Sequence, residues 1–312
     1  MHAKRLSGVL APAITPFRQD LSVDPERYAR HAKWLLANGC SGLAVFGTNS
    51  EANSLSVEER MSLLEALVAS DVPVARLMPG TGCCALPDSV KLTSHAVKLG
   101  CAGVLMLPPF YYKGVPDDGL FRNFSEVIER VGDSRLRVYL YHIPPVAQVP
   151  ISISLIERLL KRYPGTVVGI KDSSGDWGNT QALLDVFKGS TFDVFAGSES
   201  FLLQNMRSGG VGCISATANV NPGAIHHVFE HWKTLQADDL QARISATRAT
   251  IQKYAMIGAL KGIVAHYGDD PDWVTVRPPL MELGTDKTRT LVAELDRLGF
   301  TMPGLAQSAA RV

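Results

Sequence analysis

No run of about 18 consecutive apolar residues occurs in the 312-residue sequence, so no membrane-spanning helix is expected. The apolar stretch nearest the amino terminus, Leu6-Ser7-Gly8-Val9-Leu10-Ala11-Pro12, is short and ends in proline, unlike a secretory signal. Cytoplasmic residence is the expectation that follows. Cysteine is sparse: Cys40, Cys83, Cys84, Cys101 and Cys213 are odd in number and form no Cys-x-x-Cys pair. Neither a disulfide framework nor a zinc site is indicated, and the adjacent Cys83 and Cys84 read as small loop residues rather than a redox pair. Charge of one sign is also missing. Lys and Arg total 31 against 30 Asp and Glu, with no like-charged block, so nothing marks a nucleic-acid or anionic-membrane surface. The expected partners are small molecules and further copies of the chain. A Gly-x-Gly-x-x-Gly turn is absent after the first apolar segment, which runs on into Ala13-Ile14-Thr15-Pro16-Phe17. That speaks against a dinucleotide site on an open doubly wound sheet.

What the chain does contain is a rhythm of short apolar runs and amphipathic stretches. Strands are expected over 8–14, 42–46, 74–78, 103–107, 136–141, 167–170, 192–195 and 212–214. Helices are expected over 25–38, 57–70, 87–99, 117–131, 152–162, 177–188 and 199–208, with Ser56 and Ser152 as N-caps. Runs such as Gly103-Val104-Leu105-Met106-Leu107 are apolar on both strand faces, as in a parallel sheet covered by helices. The expected fold is an α/β (β/α)₈ TIM barrel with a C-terminal helical extension. Residues 1–225 would form the barrel and 226–312 the extension, with helices over 222–234, 237–266 and 286–298.

In a parallel barrel the chemistry sits at the carboxyl ends of the strands. There the sequence offers Gly47-Thr48-Asn49-Ser50-Glu51, Tyr139-Leu140-Tyr141-His142, Gly169-Ile170-Lys171-Asp172 and Ala196-Gly197-Ser198-Glu199. A lysine directly after an apolar strand meets little water; desolvation disfavours its ammonium, and a neutral amine attacks ketones. The alternative is that Lys171 pairs with Asp172 or reaches the rim. Tyr141 suits proton transfer or rim packing. The turn beginning at Gly47 presents hydroxyls and backbone N–H groups suited to a carboxylate. His142 should face the other side of its strand as a packing residue. His226, His227, Glu230 and His231 share one helix without a recognisable further ligand, and read as solvent-facing.

Together with Gly212-Cys213-Ile214-Ser215-Ala216-Thr217-Ala218-Asn219, these segments resemble the dihydrodipicolinate synthase / N-acetylneuraminate lyase family over roughly residues 6–225. The resemblance implies Lys171 as a Schiff-base lysine for pyruvate or a related 2-oxo acid, and Tyr141 as its proton shuttle. Thr48 and Asn49, in the turn opened by Gly47, would hold the substrate carboxylate, and the backbone carbonyl of Ile214 would face the site. Tyr112 would complete a Tyr–Thr–Tyr relay in a neighbouring subunit of a homotetramer built as a dimer of dimers. No cofactor or metal is implied, since the imine is itself the electron sink. Synthases of this family carry an arginine five residues after the catalytic tyrosine, for the second substrate's carboxylate. Here that position is Val146, which cannot make a charge-assisted bond. Ala52, Asn53, Val57 and Cys84 likewise depart from the lysine-feedback pocket, where Asp88 alone keeps a similar charge. The leading reading is an aldolase, dehydratase or synthase acting on a 2-oxo acid, such as a 2-keto-3-deoxy sugar acid. A true dihydrodipicolinate synthase and a silent sugar-acid-binding barrel are the alternatives.

Overall fold

In the computed structural model, which describes residues 5–306, the short apolar runs become parallel strands joined by helices. Residues 1–4, which precede the stretch read for a signal, lie outside the described residues. The order is β1 (Gly8–Ala11), α1 (Pro25–Ala37), β2 (Gly42–Leu43), α2 (Val57–Ala69), α3 (Leu86–Leu99), β3 (Val104–Met106), α4 (Asp117–Val131) and β4 (Val138–His142). A single turn, α5 (Pro144–Ala147), precedes α6 (Ile153–Arg162), β5 (Val167–Asp172), α7 (Trp177–Val186), β6 (Asp193–Ala196), α8 (Leu202–Arg207) and β7 (Gly212–Ile214). Four further helices follow: α9 (Pro222–His231), α10 (Ala237–Ile251), α11 (Met256–Gly268) and α12 (Thr285–Arg297). None of the described helices is long and apolar enough to cross a membrane.

The seven strands form one sheet in the order β2-β1-β7-β6-β5-β4-β3, all pairs parallel. The strand expected at 74–78 does not form. Val74–Arg76 make a 3₁₀ turn, and the chain then passes between the two sheet edges as an irregular segment. Its backbone still joins them: Met78 N–H donates to Leu43 O at 2.9 Å, Gly80 N–H to Val45 O at 2.7 Å, and Leu105 N–H to Pro79 O at 2.9 Å. Pro79 has no N–H to donate, which interrupts a regular ladder. Gly80 is needed there, because a Cβ would lie 2.2 Å from Phe46 O. The result is an α/β fold with a curled sheet of the TIM-barrel kind.

The period-two alternation of the strands separates two cores. Leu10, Met78, Leu105, Tyr139, Phe195 and Ile214 fill the inside of the curl. Val9, Val104, Val138, Ile170 and Val194 point outward into the larger layer between sheet and helices. The expected caps are present: Ser56 and Glu59 form a reciprocal capping box on α2, and Ser152 Oγ accepts from Leu155 N–H on α6. The stretch 199–208 begins as a 3₁₀ turn, Glu199–Phe201, before α8. The single helix expected over 237–266 is two, α10 and α11, broken across residues 252–255 although neither proline nor glycine stands there. Helix α10 packs on α9, α8 and α12, while α11 packs on α12 and on the turn Ala216–Asn219.

That turn is tied to β1 by one side chain. Asn219 accepts from Ile14 N–H at 3.0 Å and donates to Pro12 O at 3.1 Å and Ala216 O at 2.9 Å. Behind it lies His31 of α1, fully enclosed between Trp34 and Trp273, with Asn219 Oδ1 at 3.4 Å. Burial holds the His31 imidazole down at about 4, with Asn219 opposing weakly. The unfolded chain takes up that proton near pH 6.5, so this stability is complete above 6.5 and is lost as pH falls toward 4. Between pH 7 and 5 this residue alone is expected to cost about 2 kcal/mol. In urea denaturation at the two pH values, His31→Phe should shrink the wild-type difference by that amount.

Candidate active site

The geometry begins with a register. In the β4–β5 pair, Tyr141 lies opposite Lys171 and His142 opposite Asp172. Lys171 is therefore inside β5, two residues longer than expected, rather than just beyond it. Alternation sends Tyr141 and Lys171 inward, each 2% exposed, and the lysine Nζ stands 4.2 Å from the Tyr141 ring centroid. His142 and Asp172 go outward. Asp172 accepts from Ser174 N–H at 2.9 Å, Ser174 Oγ at 3.1 Å and Thr180 Oγ1 at 2.6 Å. His142 Nδ1 accepts from Ile151 N–H at 3.0 Å, and burial lowers its basicity against the pull of Asp172. His142 thus has the packing role expected of it. The pairing of Lys171 with Asp172 does not occur, and no carboxylate forms an ion pair with Lys171 among the described residues.

Across the mouth of the curl, Thr48 Oγ1 lies 3.2 Å from Tyr141 Oη. Thr48 and Asn49 belong to a 3₁₀ turn, Thr48–Ser50, flanked by Phe46 and Glu51 with φ of 59° and 55°. Left-handed backbone is unfavourable for such side chains and persists only where surroundings enforce it. The enforcement is visible. Thr15 Oγ1 donates to Ser50 O at 2.7 Å, and Glu51 is ion-paired with Lys261 of α11. Glu51 also accepts from Arg277 N–H at 3.1 Å. Lys261 is fully buried, donates to Thr275 O at 2.7 Å and sits 4.5 Å over the Phe17 ring. Burial pulls its pKa down to about 8, with Glu51 opposing.

Thr48, Asn49, Tyr141 and Lys171 open on one cavity of about 460 Å³. A smaller one of about 270 Å³ shares Thr48 and Tyr141 and reaches Gly47. Two expected residues lie elsewhere. Ile214 is fully buried, its side chain turned into the curl with Leu10 and Phe195, and it lines neither cavity. Tyr112 is 72% exposed, edge-on to Tyr111, and lines neither cavity. On α9, His227 and Glu230 face solvent as expected, whereas His226 is half-buried beside Phe229. No group of three His, Cys, Asp or Glu side chains is placed to hold a metal among the described residues.

A separate cavity of about 420 Å³, between α1, α9 and α10, holds Trp34, Asn221 and Arg243 and none of these groups.

The sequence reading missed the outer wall. Arg248, Met256, Ile257, Leu280 and Met281, all from beyond the sheet, line the 460 Å³ cavity. Arg248 Nη1 donates to Glu199 Oε2 at 2.9 Å and to Ser215 Oγ at 3.1 Å. Glu199 also receives the hydroxyls of Ser215 and Thr217, and is 1% exposed. Arg248 stands in the last turn of α10, Met256 and Ile257 follow the break after it, and no local signal marks that break.

A profile of the dihydrodipicolinate synthetase family matches residues 5–298. The chain belongs to that family. It is thereby a lyase of the class I aldolase type. A DapA-like lyase of Chloroflexus aurantiacus is 32% identical over 93% of this chain and 96% of its own length. The crystal structure of dihydrodipicolinate synthase from Agrobacterium tumefaciens superposes with a TM-score of 0.86 at 32% identity, covering 93% of this chain and 99% of that one. A chloride-inhibited dihydrodipicolinate synthase from Acinetobacter baumannii, complexed with pyruvate, superposes with a TM-score of 0.84 at 25% identity, covering 95% of this chain and all (100%) of that one.

In this family member the ion pair under the Thr48 turn carries a measurable load. Lys261→Met leaves Glu51 charged and buried without its partner, which typically costs about 3–5 kcal/mol. Urea denaturation should show that loss, and the double change with Glu51→Gln should recover a large part of it.

Proposed function

We propose that Lys171 condenses with the carbonyl of pyruvate or a related 2-oxo acid. The observation that carries this reading is a buried lysine, without an ion-paired carboxylate among the described residues, that stands over the Tyr141 ring and shares one cavity with the Tyr141–Thr48 pair at the carboxyl ends of parallel strands. The amine adds to the ketone carbon, and the carbinolamine loses water to give an iminium. Loss of a C3 proton then gives an enamine, which bonds to an electrophile or expels a leaving group. Tyr141 is within reach to carry these protons, with Thr48 as its hydrogen-bond partner. The N–H groups and hydroxyl of the turn from Gly47 through Asn49 hold the substrate carboxylate, and the carbonyl of Ile214 closes the floor. The relative complexed with pyruvate supports the choice of 2-oxo acid. No cofactor takes part.

The broader reading is an aldolase, dehydratase or synthase, including action on a 2-keto-3-deoxy sugar acid. Condensation of pyruvate with aspartate-4-semialdehyde is the second reading, favoured by likeness to the Agrobacterium synthase. Against it, Val146 lines the cavity, 62% exposed, where those synthases resemble one another in carrying arginine. In the same proposal the segment 77–80 acts as the eighth strand of a closed (β/α)₈ barrel. Residues 1–225 are that barrel, 226–312 its helical extension. The enzyme is cytoplasmic and works as a homotetramer in which Tyr112 serves a neighbouring site, consistent with its exposure in the single chain.

Borohydride reduction with pyruvate, followed by intact mass, tests the imine: wild type should gain a pyruvate-sized adduct and Lys171→Ala none. Absence of an adduct from folded wild type, with pyruvate and with longer 2-oxo acids, would return the barrel to a silent binding role. Tyr141→Phe and Thr48→Val should slow exchange of the pyruvate methyl protons with deuterated water by about 100-fold, with half-saturation changed much less.

A further inference from the structure

The charged residues lining the 460 Å³ cavity, among those described, are Lys171, Asp172 and Arg248. Asp172 is taken up by Ser174 and Thr180. Arg248 differs from both. It stands in the last turn of α10, where the helix dipole favours a cation, and one nitrogen fixes it. Nη1 makes both of its hydrogen bonds, to Glu199 and Ser215; Nε and Nη2 make none with the described residues. Its partner cannot serve a ligand in its place. Glu199 is 1% exposed and already accepts from Ser215, Thr217 and Arg248. The carboxylate therefore acts as a fixed post, and Arg248 is the cation besides Lys171 that lines the cavity among the described residues. The same cavity is lined as well by the apolar Met256, Ile257 and Leu280. Low-dielectric walls strengthen a charge-assisted bond and make a mismatched neutral end unfavourable.

We propose that Arg248 is the anion anchor of this cavity, so that the carbon chain held on Lys171 ends in a second carboxylate, remote from its 2-oxo group. This rests on the imine reading above and adds the chemical class of the substrate: a 2-oxo diacid, or the diacid formed when the enamine joins an acidic aldehyde. Arg248 thereby supplies from a C-terminal helix the charge that Val146 lacks. Planar guanidinium suits the role because two parallel N–H donors match the two oxygens of a carboxylate.

The test compares matched pairs of 2-oxo acids in the borohydride trap: 2-oxoglutarate against 2-oxopentanoate, and 2-oxoadipate against 2-oxohexanoate. Each pair has equal chain length and differs only at the far end. In wild type, at least one diacid should half-saturate at about tenfold lower concentration than its partner. Arg248→Met should bring that ratio close to one. Because both acids of a pair are trapped by the same Lys171 in the same protein, a general loss of imine formation lowers both and leaves the ratio readable. If Arg248→Met does not fold with Glu199 unpaired, Arg248→Lys keeps a charge on Glu199 but has no fork, and should lose most of the preference. A wild-type ratio near one at both lengths, or a ratio unchanged by these substitutions, would assign Arg248 to holding Glu199 only and overturn the proposal. Failure of wild type to trap pyruvate or any of these acids would instead overturn the imine reading beneath it.

Discussion

A lysine stays in the interior of this protein without a counter-ion among the described residues because one strand register divides two residue pairs between two faces. Tyr141 and Lys171 share the inside of the curl; His142 and Asp172 share the outside. A shift of one position would exchange the faces, turning the Asp172 side chain into the curl and Lys171 against the helices. Everything proposed for the chemistry depends on that alternation. The serine and threonine hydroxyls of Ser174 and Thr180 hold the Asp172 carboxylate, while the Lys171 amine stands over the Tyr141 ring.

The second constraint runs from the C-terminal helices back to the strands. Helix α11 inserts Lys261 beneath the turn that carries Thr48, and α10 brings Arg248 over the cavity. The carboxyl ends of the strands thus have a floor from the sheet and an outer wall from residues beyond it. A buried ion pair contributes modestly to net stability, but it penalises arrangements that leave either partner unpaired. That makes Glu51–Lys261 suited to holding a turn whose backbone is otherwise unfavourable at Phe46 and Glu51.

Much of this was legible in advance where a local pattern carried the information. Apolar runs placed all but one strand, serine caps placed the starts of α2 and α6, and the residues around Lys171 carried the family resemblance. The strand expected at 74–78 failed because an apolar run says nothing of the hydrogen-bond donor missing at Pro79, or of the approach of Phe46 to Gly80. The division of 237–266 into two helices was equally hidden, since residues 252–255 contain no helix-breaking type. The two helices on either side of that break pack on different neighbours, α10 on α8 and α9 and α11 on the turn Ala216–Asn219.

The sequence by itself determined which residue types stand at the carboxyl ends of the strands, because strand spacing and side-chain alternation are local properties of the chain. It determined Lys171, Tyr141 and Thr48 as candidates for the same reason. Only the tertiary structure decided which groups meet them. Asp172 is held by Ser174 and Thr180, Ile214 packs among Leu10 and Phe195, Tyr112 lies outside the cavity, and Arg248 arrives from 77 residues downstream of Lys171 (248 − 171). Such long-range meetings depend on how helices pack and where they break, and no short window of sequence contains that information.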